Sequence, residues 1–462
     1  MDRTTQLGEK KVLPLLLKFS IPAMIGMIVN ALYNIVDRIF IGNSIGSVGI
    51  AGITIGFPIM LFILACSMLI GFGSNALLSL KLGARKHEEA ELIIGNGMTM
   101  LIIFSLTISV FGLIFLVPLL RLFGASDVVL PYSYDYLQII LIGTIFQMIG
   151  FGMNNYIRAL GSPKTAMATM LIGAILNTIL DPIFIFGFGW GVRGAAIATI
   201  ISQAVSAAWV LYFFLGNKCD IKLRLRNMRL HFKTVSVFLV LGMPPFFLQL
   251  AASLFNSIMN RSLSFYGGDI AVSAMGIVSS VNMMILMPIF GINQGVQPIV
   301  GYNYGAGNYG RVKEALKLGI IGASIIVVIG FLVTRIFPEQ IISLFNKNDA
   351  ELIRIGARAL RVFLFCLPLL GFQIVGASYF QAVGKPREAM ILTLSRQVLF
   401  LIPAMLILPK YFRLDGIFYA GPIADFLAFF ITAIWLTVEV KNLKKQHGLT
   451  ARTVPENRPE NH

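Results

Sequence analysis

The sequence predicts an all-α polytopic membrane protein: twelve transmembrane helices, arranged as two six-helix bundles related by a parallel pseudo-two-fold repeat. Three observations predict it. Of 462 residues, 57% are hydrophobic and only 13% charged, against about 25% charged in a soluble domain. Apolar runs of the length needed to cross hydrocarbon recur over the whole chain, and the mean hydropathy is +0.82. Motifs of the first half return in the second at a nearly constant distance. Runs such as LIIFSLTISVFGLIFLVPLL (101–120) do not alternate polar with apolar residues, which argues against an outer-membrane barrel.

The predicted spans of the first bundle (1–216) are 13–40, 47–80, 92–120, 130–157, 166–188 and 191–216. Those of the second (236–445) are 236–262, 270–302, 314–337, 355–381, 388–409 and 415–440. A basic linker, 217–235, joins the bundles, and 446–462 reads as a disordered tail. Several spans exceed the roughly 20 residues a crossing needs, which implies tilt or kinks. Prolines inside them (Pro22, Pro58, Pro182, Pro244, Pro288, Pro298, Pro368 and Pro403) remove backbone donors and bend helices.

Charge sets the orientation. One side collects the N-terminus, Lys81, Arg85, Lys86, Arg158, Lys164, Arg311, Lys313, Lys317, Lys385, Arg387, the tail from Lys441 and the linker. That linker holds Lys218, Lys222, Arg224, Arg226, Arg229 and Lys233. Roughly 25 Lys and Arg fall on this side and about 8 on the other, so the positive-inside rule places both termini in the cytoplasm of an inner (cytoplasmic) membrane. The net charge of +16 therefore reports topology rather than nucleic-acid binding. No cleavable signal peptide is expected, because the first apolar run is too long for one.

The repeat is explicit. RALGSPKTAM (158–167) matches QAVGKPREAM (381–390), and SIPAMIG at Pro22 matches GMPPFFL at Pro244. KLGARKHEEA (81–90) resembles NYGAGNYGRVKEA (303–315), and GVRGAAIATIISQ (191–203) resembles RLDGIFYAGPIAD (413–425). Six helices is an even number, so both halves enter the membrane in one direction. Transporters built from parallel repeats place the substrate path between the halves.

Asp37 and Asp181 stand inside apolar runs, NALYNIVDRIFIG (30–42) and AILNTILDPIFIF (174–186). An acid in hydrocarbon is expensive unless it faces a wet cavity or a partner, so each marks a functional site. At about 1.5 Å per residue both acids, and Thr199 of the sixth span, lie within roughly 15 Å of the outer face. They meet if spans 1, 5 and 6 pack together. Asn30, Tyr33, Asn34 and Asp37 form one helical stripe, while Asn177 and Asp181, and Ala195 and Thr199, are four apart. Pro182 frees the Thr178 carbonyl. Two carboxylates among amide, hydroxyl and carbonyl oxygens suit a hard cation, H⁺ or Na⁺, and a close acid pair titrates as a unit. An ion pair of Asp37 with the adjoining Arg38, and plain helix-packing contacts for Asp181, Asn177 and Thr199, are the alternative readings.

The second half lacks matching acids. Its span 7 carries Gln249, Ser253, Asn256 and Asn260 as an uncharged stripe, and Gln294, Gln297, Gln373 and Gln381 add neutral groups. Asp425 is its main internal acid, with Lys410 and Arg413 as candidate partners. Asn30, Asn34, Gln203, Gln249, Ser253, Asn256, Gln373 and Asp425 are candidates for a substrate path. Ion coupling is thereby assigned to the first half.

No GxxxxGK[ST] loop is present, and no soluble segment can hold a nucleotide-binding domain, so transport is ion-driven or passive. Cys66, Cys219 and Cys366 are far apart, and no CxxC or HExxH spacing appears, so neither a disulfide nor a resident metal is expected. The chain shows no nucleophile–base arrangement of an enzyme. No cofactor beyond the coupling ion is called for, and nothing demands more than a monomer.

YNIVDRIFIG, RALGSPK, NTILDPIFIFG and GAAIAT (194–199), within a duplicated twelve-span plan, resemble the multidrug and toxic compound extrusion (MATE) transporters. The resemblance covers nearly the whole chain. It implies a secondary antiporter that expels small organic, often cationic, compounds as H⁺ or Na⁺ enters. It also implies a first-half cation site at Asp37, Asn177, Asp181 and Thr199, with the Ala195 carbonyl and Tyr33 beside it. A fourth-span Asn of the family's site corresponds to Asn154 or Asn155, which this topology places near the cytoplasmic end. One branch of the family also has carboxylates in spans 7 and 10; this chain has Gln249, Asn256, Gln373 and Gln381 there, and so resembles the prokaryotic branch relying on the first half. A lipid-linked oligosaccharide flippase of the same superfamily is the alternative, on the strength of Arg358, Arg361 and Arg396.

Overall fold

The computed structural model describes residues 4–45, 47–216, 221–347 and 349–453. Lys218, Cys219 and residues 454–462 of the tail lie outside the described residues, as do the side chains of Asn34, Arg38 and 444–453. The first lobe consists of α1 (Val12–Ile45), α2 (Ser47–Gly83), α3 (His87–Ile114), α4 (Leu130–Ala159), α5 (Pro163–Pro182) and α6 (Gly191–Leu215). A π-helical turn, Ile183–Gly187, extends α5. In the second lobe α7 (Phe232–Gly305) crosses twice, turning at Gly268 where φ is 65°. Then come α8 (Tyr309–Ile336), α9 (Ala350–Phe363), α10 (Leu367–Ala382) and α11 (Pro386–Leu394). A π-helical stretch, Ser395–Leu401, leads from α11 into α12 (Ile402–Thr453), which turns at Arg413 (φ 51°).

Among the described residues nine helices are long and apolar enough to cross a membrane, and α9 with α10 makes a tenth span bent by 50°. Two of these ten, α7 and the α11–α12 run, contain a turn and cross twice. Twelve crossings result among the described residues, as the sequence predicts. The predicted unbroken span 355–381 is instead the bent pair. Pro368 cannot donate to the Leu364 carbonyl and disfavours helix at the residue before it, which breaks the ladder there. The predicted 92–120 span ends as a helix at Ile114 and continues as a short one, Leu116–Leu122. Along α3, Ile103, Leu106, Val110, Phe111 and Ile114 share one exposed apolar stripe, which is the face offered to lipid.

The repeat appears as reciprocal contacts. An added Cβ on Gly83 would sit 1.9 Å from the Tyr302 carbonyl oxygen, and one on Gly305 would sit 2.1 Å from that of Leu80. These pairs exchange under a shift of 222 positions. So do Gly73 against Gly242 and Gly295 against Ser20, at 2.7 Å and 2.4 Å from such an added Cβ. Only glycine permits backbones this close. Asn75 donates to its own repeat counterpart, Gln297 (3.3 Å), so this pair lies on the pseudo-two-fold axis. One turn further on, Ser79 meets its counterpart Gly301. These contacts all lie toward the end of the molecule that carries the linker, which we call the linker side.

Two further segments brace the linker side. Asn96 of α3 donates to the carbonyls of Asn227 (3.0 Å) and Arg229 (3.1 Å) and accepts from the His231 N–H (2.6 Å). Thr99 donates to the Met228 carbonyl (2.7 Å). The linker is therefore strapped to the first lobe. The stretch before α1 does the converse: Asn303 and Arg311 of the second lobe donate to the Leu7 carbonyl at 2.9 Å and 3.1 Å. Gln6 meanwhile donates to the Gly161 carbonyl of the first lobe (2.9 Å), so this stretch bridges both lobes.

Cysteines placed on the axis test this geometry. In a background lacking native cysteines, the pair Ser79→Cys and Gly301→Cys is expected to form an intramolecular disulfide under mild oxidation, since the two Cβ positions lie 2.8 Å apart and a slight relaxation brings them to bonding geometry. Electrophoretic mobility before and after reduction reads it out.

Candidate functional site

Helices α1, α5 and α6 pack against one another, and their polar stripes meet. Asp181 is 0% exposed and Asn177 3%, because the i, i+4 spacing turns both inward while Ile175 and Ile179 face outward. The Asn177 amide donates to Asp181 Oδ1 (3.1 Å) and to Thr199 Oγ1 of α6 (3.4 Å). Thr199 donates in turn to the Ala195 carbonyl (3.0 Å). Across from α1, the Asp37 carboxyl lies close enough to that of Asp181 for the two to interact electrostatically. Asp37, Asn177, Asp181, Thr199 and Ala195 are thus one connected group.

Local structure explains the openness of this group to a ligand. Pro182 follows Asp181 and has no N–H for the Thr178 carbonyl, and the chain then widens into the π-helical turn Ile183–Gly187. Such turns loosen the ladder and recur at functional sites. Aromatic rings cluster in and just after the turn. Phe184, Phe188 and Trp190 stack with centroids 5.0–5.7 Å apart, and Phe40 of α1 meets Phe186 edge-on at 6.3 Å.

The donor set consists of oxygens. Asn177 Oδ1 is buried with no hydrogen donor. Asp181 Oδ2 likewise meets no N–H or O–H, except where a proton sits between it and Asp37. Two carboxylates, an amide oxygen, a hydroxyl and a carbonyl match a hard monovalent cation or a proton, and not a soft metal. Among the described residues, no group of three or more His, Cys, Asp or Glu side chains is placed to hold a metal ion.

The other candidates are distributed more widely. Tyr33 and Asn30 are half-buried on α1, and the Asn34 side chain lies outside the described residues. Gln203 is half-buried on α6, its carbonyl against Gly150 of α4. Gln249 and Ser253 are half-buried on α7, and Asn256 is exposed there. Gln373 is 4% exposed with Oε1 unpartnered. Asn154 and Asn155 of α4 are buried on the linker side, away from the two acids. Asp425 is 3% exposed and bonded to Arg396 Nε (2.6 Å). Its partner is therefore Arg396 of the π-helical stretch, and neither Lys410 nor Arg413. Sequence reasoning missed this pair, although Arg396 alone interrupts the apolar run around it.

Comparison with known proteins fits this geometry. The MatE family profile matches twice, over residues 22–183 and 244–406, one match per lobe. Multidrug export protein MepA of Staphylococcus haemolyticus is 28% identical over 427 residues, covering 92% of this chain and 94% of that one. The MATE multidrug transporter DinF-BH, solved in a ligand complex, is 42% identical, with a TM-score of 0.87 over 93% of this chain and 96% of that one. A multidrug resistance MATE family transporter in its outward-facing conformation gives a TM-score of 0.90 at 26% identity, covering 96% of this chain and 98% of that one.

The Asn177–Asp181 hydrogen bond makes a stability prediction. Asp181→Leu strands a buried amide and is expected to cost about 1–3 kcal/mol, with Asp181→Asn costing less. Thermal melts of the purified variants in detergent check the order.

Proposed function

The chain belongs to the MatE family of membrane transporters, a class that is not enzymatic, and from that premise we propose that it is a cation-coupled multidrug antiporter of the prokaryotic branch with its ion site in the first lobe. It expels small organic, often cationic, compounds while H⁺ or Na⁺ enters. The positive-inside distribution of charge supports an inner-membrane location with both termini cytoplasmic. A monomer in the bilayer suffices, and the coupling ion is the sole cofactor.

The neighbouring acids Asp37 and Asp181 carry this reading. The pair spans two helices, so its charge state is felt by both. With the coupling ion present, the two carboxyls and Asn177 hold α1 against α5 and α6. Without it, two like charges face each other in a buried place and push α1 away. The lobes in this structure touch on the linker side, an arrangement that supports a cavity opening opposite. A ligand that prefers one arrangement of α1 shifts the balance between the outward- and inward-facing forms, and only a difference in affinity does so. A drug and an ion that favour opposite arrangements exchange.

The flippase reading requires free cationic groups for a pyrophosphate. Arg358 pairs with Asp415 (2.7 Å), Arg361 with Glu339 (3.7 Å) and Arg396 with Asp425 (2.6 Å), so each of these arginines is matched by a carboxylate. The antiporter is the reading we retain.

Reconstituted vesicles with pH and sodium gradients imposed separately test it. Dye export by the native chain is expected to follow one of the two gradients. Asp37→Asn and Asp181→Asn are each expected to lower gradient-driven export roughly tenfold or more, the scale of an ordinary coupling free energy, with dye binding retained. Unchanged gradient-driven export in both variants refutes the assignment.

A further inference from the structure

Arg158 ends α4 on the linker side, in the RALGSPK motif. It is 6% exposed. Its Nη2 donates to Asn155 Oδ1 (2.8 Å), and its Nη1 is buried with no acceptor. Among the described residues no carboxylate forms an ion pair with it. A buried cation is normally matched by an acid or several acceptors, because leaving it bare is costly.

The repeat makes the anomaly sharper. The second-lobe counterpart of Arg158 is Gln381, from the matched motif QAVGKPREAM. Gln381 is neutral, donates to the Leu241 carbonyl (2.8 Å) and accepts from Gln297 (3.5 Å). The same slot in one scaffold is thus filled by a satisfied amide in one lobe and a bare guanidinium in the other. Packing alone is met by the amide, so it does not account for the charge.

The neighbours of Arg158 supply the reason. Its partner Asn155 lies against Gly71 of α2, 3.2 Å from where a Cβ would be. Gly71 is one turn from Asn75, which crosses the pseudo-axis to Gln297. Gln297 reaches Gln381. A line of amides, Asn75, Gln297 and Gln381, therefore crosses the pseudo-axis on the linker side, with Asn155 one helical turn from it at Gly71, and Asn75 Oδ1 has hydrogen-bonding capacity left over. Such a seam can admit water, and a hydrated amide line conducts protons or sodium ions.

We infer that Arg158 is the electrostatic seal of the linker side: its fixed positive charge keeps H⁺ and Na⁺ out of the amide seam while the opposite side is open. Fixed arginines bar cations from polar pores in the same way. The role rests on the ion-coupled reading above, since a leak dissipates the gradient that drives export. Arg158 touches neither the coupling ion nor the drug; it acts on the barrier between them and the far compartment.

The test uses the purified full-length chain in vesicles without drug. Proton entry is followed with an internal pH dye under a clamped potential, and sodium entry with a radioactive tracer. Arg158→Gln, which copies the second lobe, is expected to leak one or both ions on the order of tenfold faster than the native chain, from the loss of a unit charge beside the seam. Arg158→Lys keeps the charge and is expected to stay tight. A tight Arg158→Gln overturns the proposal, as does an Arg158→Lys that leaks equally, which makes the role one of packing. If Arg158→Gln does not fold, as judged by gel filtration and dye binding, Arg158→Met is read in its place. Gradient-driven dye export by the native chain is measured in the same vesicles. Export that ignores both gradients refutes the coupling reading, whereas the leak of the variant judges the seal by itself.

Discussion

Lipid offers no hydrogen bonds, and this constraint shapes the whole molecule. Each backbone N–H and C=O within the bilayer must be satisfied by the chain itself, which leaves helices as the available element. Where the ladder is interrupted, protein or a cavity has to cover the freed groups. The structure keeps to this rule. The π-helical turn after Asp181 packs against α6, where Gly194 lies against the Phe184 carbonyl, and the break between α9 and α10 is covered by α12, whose Gly421 lies against the Phe363 carbonyl. Polar side chains follow the same accounting. Within the spans several of them occur in connected groups: the acids and amides of α1, α5 and α6, the amide line on the pseudo-axis, and the Arg396–Asp425 pair.

The two lobes share a scaffold and differ in what they do with it. In the first, an acid pair is linked by neutral donors and leaves oxygens uncommitted. In the second, the main internal acid already holds a guanidinium at 2.6 Å. A tethered cation of this kind does not exchange with solution ions. The asymmetry fits a division in which the first lobe responds to ions and the second stays comparatively fixed.

Much of this was legible in the sequence because it is local or periodic. The spans follow from apolar runs, the repeat from matched motifs, and the grouping of Asn177 with Asp181 from one helical turn. The link to Thr199 required only that neighbouring spans be neighbours in space. Other features depend on which helices touch, and spacing is silent about that. Asp425 finds Arg396 on an adjacent helix and not the basic residues nearer its own span end. The linker is anchored by Asn96, a residue of α3 that reads as an ordinary polar residue near a span end. Leu7, in a polar N-terminal stretch, is wholly buried between lobes. The orphaned nitrogen of Arg158 is visible only once every neighbour is known.

Asn75 and Gln297 are the same position in the two repeats, yet they bond to each other. A two-fold axis brings a position against its own counterpart. A side chain that must bond to an identical one has to be donor and acceptor at once. Carboxylates only accept and ammonium groups only donate, whereas a primary amide does both. Asn75 and Gln297 satisfy this self-complementarity although the two halves of one chain are free to differ there.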